Sequence, residues 1–113
     1  MGRKRPSKPA IQKVVDETIY LKRPRRGAKL KEEVWQTEDG EVRYSLAYVN
    51  PSVCGVDNGR VLGYDNSHNH HHRHFMGAQE TFEFRGYESL ATHFYEEVWE
   101  LWRREDEERR KGH

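Results

Sequence analysis

The chain has 113 residues and a formal net charge of +1 at neutral pH, with 34% hydrophobic and 35% charged residues. This length fits one domain with one modest core, and no apolar run approaches the roughly 20 residues of a membrane-spanning helix. Because Cys54 is the only cysteine, an internal disulfide is excluded, and we expect a soluble protein of the reducing cytoplasm.

Positive charge is concentrated at the amino-terminal end. Residues 1–31 have a net charge of +9, whereas the remainder has −8. Residues 1–10 combine this charge with two prolines and offer nothing apolar to bury, so we predict a basic flexible tail followed by a single α+β domain, 11–113. Such a tail either binds nucleic acid by neutralising phosphates or only keeps the protein soluble. Its cations are Arg3, Lys4, Arg5 and Lys8.

The segment 11–21 has apolar spacing that suits a short helix in its first half and a strand in its second. We favour a strand over 17–22. The turn at 23–27 follows, because Pro24 removes a backbone donor and Gly27 permits a positive φ. The cations of this region are expected to form a compact patch that faces phosphate. They are Lys22, Arg23, Arg25 and Arg26.

The middle of the chain alternates between apolar and polar residues, which is typical of strands. Strands over 30–36 and 42–48 flank Asp39 and Gly40, a pair that indicates a tight hairpin turn. A third strand is predicted over 60–65. After the histidine-rich stretch the chain is expected to re-enter the sheet near Phe75 and Met76 and again over 81–84.

The carboxyl-terminal segment has the periodicity of an amphipathic helix over 88–110. Leu90, Phe94, Val98 and Leu101 recur at spacings of three and four residues, and this stripe should cover the sheet. The predicted fold is therefore α+β, with an antiparallel sheet of about four to six strands covered by a long C-terminal amphipathic helix.

The most distinctive feature is a run that holds five of the seven histidines, at positions 68, 70, 71, 72 and 74. We predict that it forms a loop between two strands, directly after Tyr64, Asp65 and Asn66. In an extended loop His68, His70, His72 and His74 would point to one side, and His71 and Arg73 to the other.

Three chemistries fit this cluster. Neutral and protonated imidazoles at one site suit general base and acid catalysis of RNA cleavage, with Arg73 stabilising the charged phosphorus centre. Three imidazoles with Asp65 would also suffice for zinc, nickel or iron. The third interpretation is structural, with the histidines and Asn66 satisfying backbone groups and His72 partly buried.

The motif resembles the TumE family of bacterial and archaeal toxin-antitoxin proteins over about residues 17–102. In that family a strand runs into a Tyr-Asp-Asn turn, a short loop carries a histidine, and a His-x-His pair precedes a glycine and another strand. The matching residues here are Leu62, Gly63, Tyr64, Asp65, Asn66, Ser67 and His68, then His71, His72, Arg73, His74, Phe75, Met76 and Gly77, then Phe82, Glu83, Phe84, Ser89 and Leu90.

The resemblance implies a small toxin encoded beside a helix-turn-helix antitoxin and acting on RNA or the ribosome, by similarity to the HigB and RelE group. The carried-over motif positions are Tyr64, Asp65, Asn66, His68, His72 and His74, whereas His70 and His71 are expected to be embellishment.

The leading hypothesis is an endoribonuclease without cofactor or metal. His68, His72 and His74 would be its acid and base candidates, and Asp65 would orient an imidazole. The expected phosphate contacts are Arg73, Arg23, Arg25 and Arg26. No membrane partner is expected. A homodimer is a further expectation, and either the homodimer or the antitoxin would use Trp99, Trp102 and the charged helix end.

Two other classes of protein stay open. The first is a non-catalytic module that binds nucleic acid or a protein through its basic arm and sheet edge. The second is a histidine-rich metal-binding protein.

Overall fold

The computed structural model describes residues 11–112, except for the side chain of His68, and the predicted tail over 1–10 lies outside the described residues. Six antiparallel strands form one sheet in chain order, and one long helix follows in this part of the chain. The predicted α+β class is confirmed. The strands are β1 (Ile11–Tyr20), β2 (Lys29–Thr37), β3 (Val42–Val49), β4 (Arg60–Asp65), β5 (His72–Phe75) and β6 (Ala78–Thr81), and the helix is α1 (Tyr87–Lys111).

The first strand is longer than predicted. β1 begins at Ile11, so a helix in the first half of this segment is wrong. The ambiguous local pattern is overruled by pairing with β2, which continues along the whole strand with one bulge at Val14. β1 contributes little to the core, because Ile19 and Tyr20 are 50% and 74% exposed and only Val15 packs partly against it.

The hairpin and the third strand match the sequence prediction. β2 pairs with β3 across a turn in which Gly40 has a φ of +87°, and β4 has the predicted bounds. The next two strands differ from the prediction. β5 already begins at His72, the turn falls at Met76 and Gly77, and β6 ends before Phe82. His72 and His74 therefore lie in a strand, and the predicted loop is wrong for these two residues.

The helix covers one face of the sheet, as its apolar stripe predicts. Leu90, Phe94 and Val98 are at most 6% exposed. They pack against the central strands, whose buried residues on this side include Tyr44, Leu46, Tyr48, Leu62 and Tyr64. Burial of these side chains is the main apolar contribution to stability. Within residues 11–112, no helix contains the continuous apolar stretch that a membrane span requires.

The face beneath the helix also contains a carboxylate, Glu32 of β2, which alternation alone would place in the core. Two tyrosines of α1 satisfy it. Tyr87 Oη donates a hydrogen bond to Glu32 over 2.5 Å and Tyr95 Oη donates one over 3.0 Å. A partly buried charge is tolerated when it is hydrogen-bonded in this way, so Glu32 fixes the first turns of α1 against β2.

Arg25 performs the equivalent role at the other end of α1. Its guanidinium lies 3.1 Å from Glu105 and 2.9 Å from Asp106, donates to the carbonyl of Trp102, and stacks 4.7 Å from the Trp102 ring. The Arg25 side chain is only 9% exposed. It therefore does not join a solvent-facing phosphate patch with Arg23 and Arg26, which are exposed.

His71 anchors the histidine segment to the covered face. Its ring stacks on Phe84 at 4.2 Å, and its Nδ1 lies 2.7 Å from Tyr44 Oη. Burial lowers the pKa of His71, and the neighbouring charges of His70 and His72 act in the same direction. Burial raises the pKa of Tyr44. The Tyr44 hydroxyl therefore donates to a neutral His71, which is structural and not embellishment.

Replacing Arg25 by methionine should destabilise the fold by about 3 kcal/mol, because Glu105 would keep a buried charge without its cation. Equilibrium unfolding in urea measures this loss. Arg26→Met, in the same turn but exposed, is the matched control and should change the free energy of unfolding by less than about 0.5 kcal/mol. Equal effects of the two variants would contradict the assigned role of Arg25.

His71 should make stability depend on pH. Because its pKa is lowered in the folded state, the unfolded chain binds the proton more readily, and stability falls as pH drops below about 6.5. In His71→Phe this contribution disappears. The free energy of unfolding of the variant, relative to the parent, should therefore rise between pH 8 and pH 5 in urea titrations. A constant difference between the two proteins across that range would show that His71 is not involved.

Candidate functional site

The uncovered face of the sheet carries the acidic residue and two of the histidines that the sequence singled out. We call it the open face, meaning the side opposite α1. In the register of β4 and β5, Asp65 lies opposite His72, and Gly63 lies opposite His74. Because side chains alternate along a strand, all three polar residues point to the same side. The predicted alternation of His72 and His74 against His71 and Arg73 is thus retained in β5.

The carboxylate of Asp65 connects the two histidines. Its Oδ2 lies 3.0 Å from His74 Nε2, and its Oδ1 lies 4.0 Å from His72 Nδ1. An ionised carboxylate only accepts hydrogen bonds, so the proton of a neutral His74 is on Nε2 and its Nδ1 is an acceptor. The two imidazole ring centres are 6.2 Å apart. All three side chains are between 13% and 17% exposed, which leaves them partly accessible.

Arg60 is a member of the site that the sequence did not reveal. Its Nη1 is 3.7 Å from Asp65 Oδ2, and Asp57 holds its Nε at 2.8 Å. Strict alternation would place Arg60 and Asp65 on opposite faces. The β3–β4 register shifts between the pairs Tyr48–Leu62 and Val49–Arg60, so Val61 is an extra residue that brings Arg60 to the open face.

Gly63 provides the space that Arg60 occupies. A Cβ at this position would lie 2.7 Å from Arg60 Cδ, which no ordinary contact allows. The arginine side chain therefore crosses directly over the glycine to reach Asp65. A glycine in a strand is often explained by such a close approach.

Two further side chains hold the Asp65 turn. Ser67 donates to Asp65 Oδ1 from its backbone nitrogen at 3.2 Å and from its hydroxyl at 3.0 Å. The amide of Asn66 continues the ladder beyond β4, since its Nδ2 donates to the Val42 carbonyl and its Oδ1 accepts from the Tyr44 nitrogen. Asn66 thus positions its neighbours, and its side chain is occupied by the backbone of β3.

Two of the predicted site residues lie on the other face, beneath α1. Tyr64 is 2% exposed and donates to Glu97. Arg73 forms an ion pair with Glu97 at 2.5 Å and donates to Tyr64 Oη at 3.2 Å. Burial raises the pKa of Tyr64, and the neighbouring Glu97 raises it further. The structure therefore separates this pair from Asp65, His72 and His74 by the thickness of the sheet.

The basic turn does not join the open face either. Arg25 and Arg26 line a cleft of about 700 Å³ with Leu101, Arg104 and Glu105 of α1, on the covered side of the sheet. None of the histidines whose side chains the structure describes lines this cleft. We place the candidate site on the open face because the imidazoles and the carboxylate converge there.

The remaining histidines of the run are less informative. The backbone of His68 lies in a short 3-10 turn, Ser67–Asn69, directly before the exposed His70. The His70 and His72 ring centres are 6.1 Å apart. Among the described side chains, no group of three or more His, Cys, Asp or Glu residues is arranged to hold a metal ion.

Comparison with known proteins agrees with the motif. A family model described as Toxin TumE matches residues 14–104, close to the range over which the sequence resembles that family. No curated protein and no solved structure matches the chain. The matched range contains most of β1, all of β2 to β6, the turn at Asp65 and most of α1. The chain therefore belongs to the TumE toxin family.

Proposed function

We propose that this toxin cleaves RNA by general acid and base catalysis on the open face of its sheet. The observation that carries the proposal is the hydrogen bond between Asp65 and His74, with the ring of His72 centred 6.2 Å from that of His74. Cleavage of a phosphodiester bond needs a base for the attacking oxygen and an acid for the leaving oxygen, each within about 3 Å of its partner. Two imidazoles at this separation suit oxygens on opposite sides of one phosphorus atom.

In the proposed reaction, neutral His74 accepts the proton of the ribose 2′-hydroxyl on its Nδ1. The 2′-oxygen forms a bond to phosphorus, and the bond from phosphorus to the 5′-oxygen breaks. Protonated His72 donates its proton to that leaving oxygen. The products are a 2′,3′-cyclic phosphate and a 5′-hydroxyl, so atoms and charge balance without another reactant.

Asp65 and Arg60 support this chemistry in different ways. Asp65 fixes the ring of His74 with Nε2 protonated and stabilises the imidazolium that forms during the reaction. We assign to Arg60, whose guanidinium lies 3.7 Å from the Asp65 carboxylate, the neutralisation of charge that develops on the phosphate. We retain His68 as a further acid or base candidate on the basis of the sequence motif.

A toxin of this family acts with an antitoxin. We further propose that the antitoxin is a helix-turn-helix protein encoded by the neighbouring gene. The toxin binds its RNA either free in solution or on the ribosome, and it forms homodimers. Exposed apolar residues of β1 support protein contacts there, since Ile11 and Ile19 are 57% and 50% exposed. The identity of the neighbouring gene is the simplest test of the partner.

The alternative is a non-catalytic module that binds nucleic acid or protein. The exposed edge strand β1 favours this binding module, because such an edge can pair with another strand or contact a partner surface. The two functions differ in which residues they require. Catalysis needs the imidazoles of the open face, whereas the binding module needs the basic tail, residues 1–10, and the edge strand β1.

Replacing His72 or His74 by alanine should abolish growth arrest in cells and slow RNA cleavage by about 10²- to 10⁴-fold, the usual contribution of one acid or base. Colony formation after induced expression and a gel assay with purified protein measure the two effects. His93→Ala is the matched control, because His93 lies 60% exposed on α1. The proposal fails if RNA stays intact with and without ribosomes and the His72 variant still arrests growth.

Removing residues 1–10 separates the two candidate functions. For the binding module, affinity for RNA should fall, and the dependence of log affinity on log salt should become shallower by up to about four, one for each cation removed. For the catalytic toxin, the truncated chain should keep a measurable cleavage rate at low salt. Two results together would favour the module. The truncated chain would cleave RNA at no salt concentration, and His72→Ala would lose cleavage only to the extent that it loses affinity for RNA.

A further inference from the structure

The open face continues beyond the histidines into a groove that has no role in the proposed reaction. The groove has a volume of about 500 Å³, and Asp65, Asn66 and Ser67 form its end next to the imidazoles. Its other walls come from β1, β2 and β3. They are formed by Ile11, Trp35, Arg43, Tyr44 and Ser45.

Trp35 and Arg43 lie directly opposite each other on β2 and β3. Trp35 is partly exposed and Arg43 is exposed, and among the described residues Arg43 has no acidic group within ion-pairing distance. An indole face next to an unpaired guanidinium is the combination that binds single-stranded nucleic acid. The ring stacks on a base, and the cation contacts the adjoining phosphate.

Part of the negative charge beside the groove is neutralised. Glu33 lies on the same face, but Lys13 forms a 2.8 Å ion pair with it, and the same ammonium lies 5.1 Å from the Trp35 ring centre. The groove also lies at the start of β1, where Ile11 is attached to residues 1–10. Residues 1–10, which directly precede Ile11 in the sequence, include four cations.

The position of the groove relative to the imidazoles decides which part of a strand it suits. Trp35 is on β2 and Asp65 on β4, two strands apart, which corresponds to about 10 Å across the sheet. A base on Trp35 would thus belong to a nucleotide that flanks the cleaved phosphate, and it would not be the cleaved nucleotide itself.

We infer that this groove binds a flanking nucleotide of single-stranded RNA, with Trp35 stacking on its base and Arg43 contacting its phosphate. The inference rests on the proposed RNA-directed function, because it assigns the substrate of the same face. It predicts that duplex RNA, whose bases are not available for stacking, binds less tightly than a single strand.

The test measures binding without cleavage. A short, fluorescein-labelled oligoribonucleotide with 2′-O-methyl groups cannot undergo the proposed reaction, since its 2′-oxygen carries no proton. Fluorescence anisotropy with the full chain should give about tenfold weaker binding for Trp35→Leu. Trp99→Leu is the matched control, because Trp99 is 63% exposed on α1 and should leave the affinity unchanged.

A second variant keeps the test decisive if Trp35→Leu folds poorly. Arg43→Gln changes only an exposed side chain, and it should weaken binding and make the salt dependence shallower by about one. Unchanged affinity in both variants, or equal loss in Trp99→Leu, would overturn the inference, as would equal affinity for duplex and single strand.

The same preparation, tested with unmodified RNA, reports on the proposed reaction separately. If cleavage does not change when Trp35 or Arg43 is replaced, the proposed ribonuclease activity stands and the role assigned to the groove is contradicted. If RNA binding depends on Trp35 but no RNA is cleaved, the role assigned to the groove stands and the proposed catalysis is contradicted.

Discussion

The antiparallel register of β4 against β5 is the constraint on which the candidate site depends. It sets Asp65 opposite His72 and places His74 two residues further along the same face. A shift by one residue would turn both imidazoles towards the helix and bring Arg73 and His71 to the open face. Contacts beneath the helix prevent that shift, because His71 is stacked on Phe84 and Arg73 is paired with Glu97.

The two faces of the sheet thus have different roles. Beneath α1, polar side chains are used in pairs that fix the helix, with Glu32 at its beginning and Arg25 towards its end. On the open face the polar groups lie beside a groove and are joined by one carboxylate, Asp65. This division explains why residues adjacent in the sequence, such as Tyr64 and Asp65, belong to different clusters.

Local patterns predicted the parts of the fold that local physics determines. The hairpin at Gly40, the bounds of β4 and the stripe of α1 follow from turn chemistry and periodicity, and the helix extends one residue beyond the predicted range at each end. The family resemblance rests on the motif around Asp65, and the family match agrees with it. Long-range pairing determined the rest, as with β1, whose pattern alone is ambiguous.

The site was only partly predictable for the same reason. The motif named Asp65, His72 and His74, but it grouped them with residues that alternate to the other face. Arg60 was missed because the bulge at Val61 reverses the alternation, and no local signal marks a bulge here. The predicted phosphate contact of Arg25 is wrong because its side chain is paired with Glu105 and Asp106. Local patterns could not reveal these partners, which lie 80 and 81 residues away in the sequence.

The chemical ends of the RNA fragments distinguish acid and base catalysis by imidazoles from metal-assisted hydrolysis. Acid and base catalysis by His72 and His74 predicts 2′,3′-cyclic phosphate and 5′-hydroxyl ends, identified by mass spectrometry after reaction with the purified toxin in the presence of EDTA. Fragments with 3′-hydroxyl and 5′-phosphate ends, or cleavage that requires an added divalent cation, would contradict it.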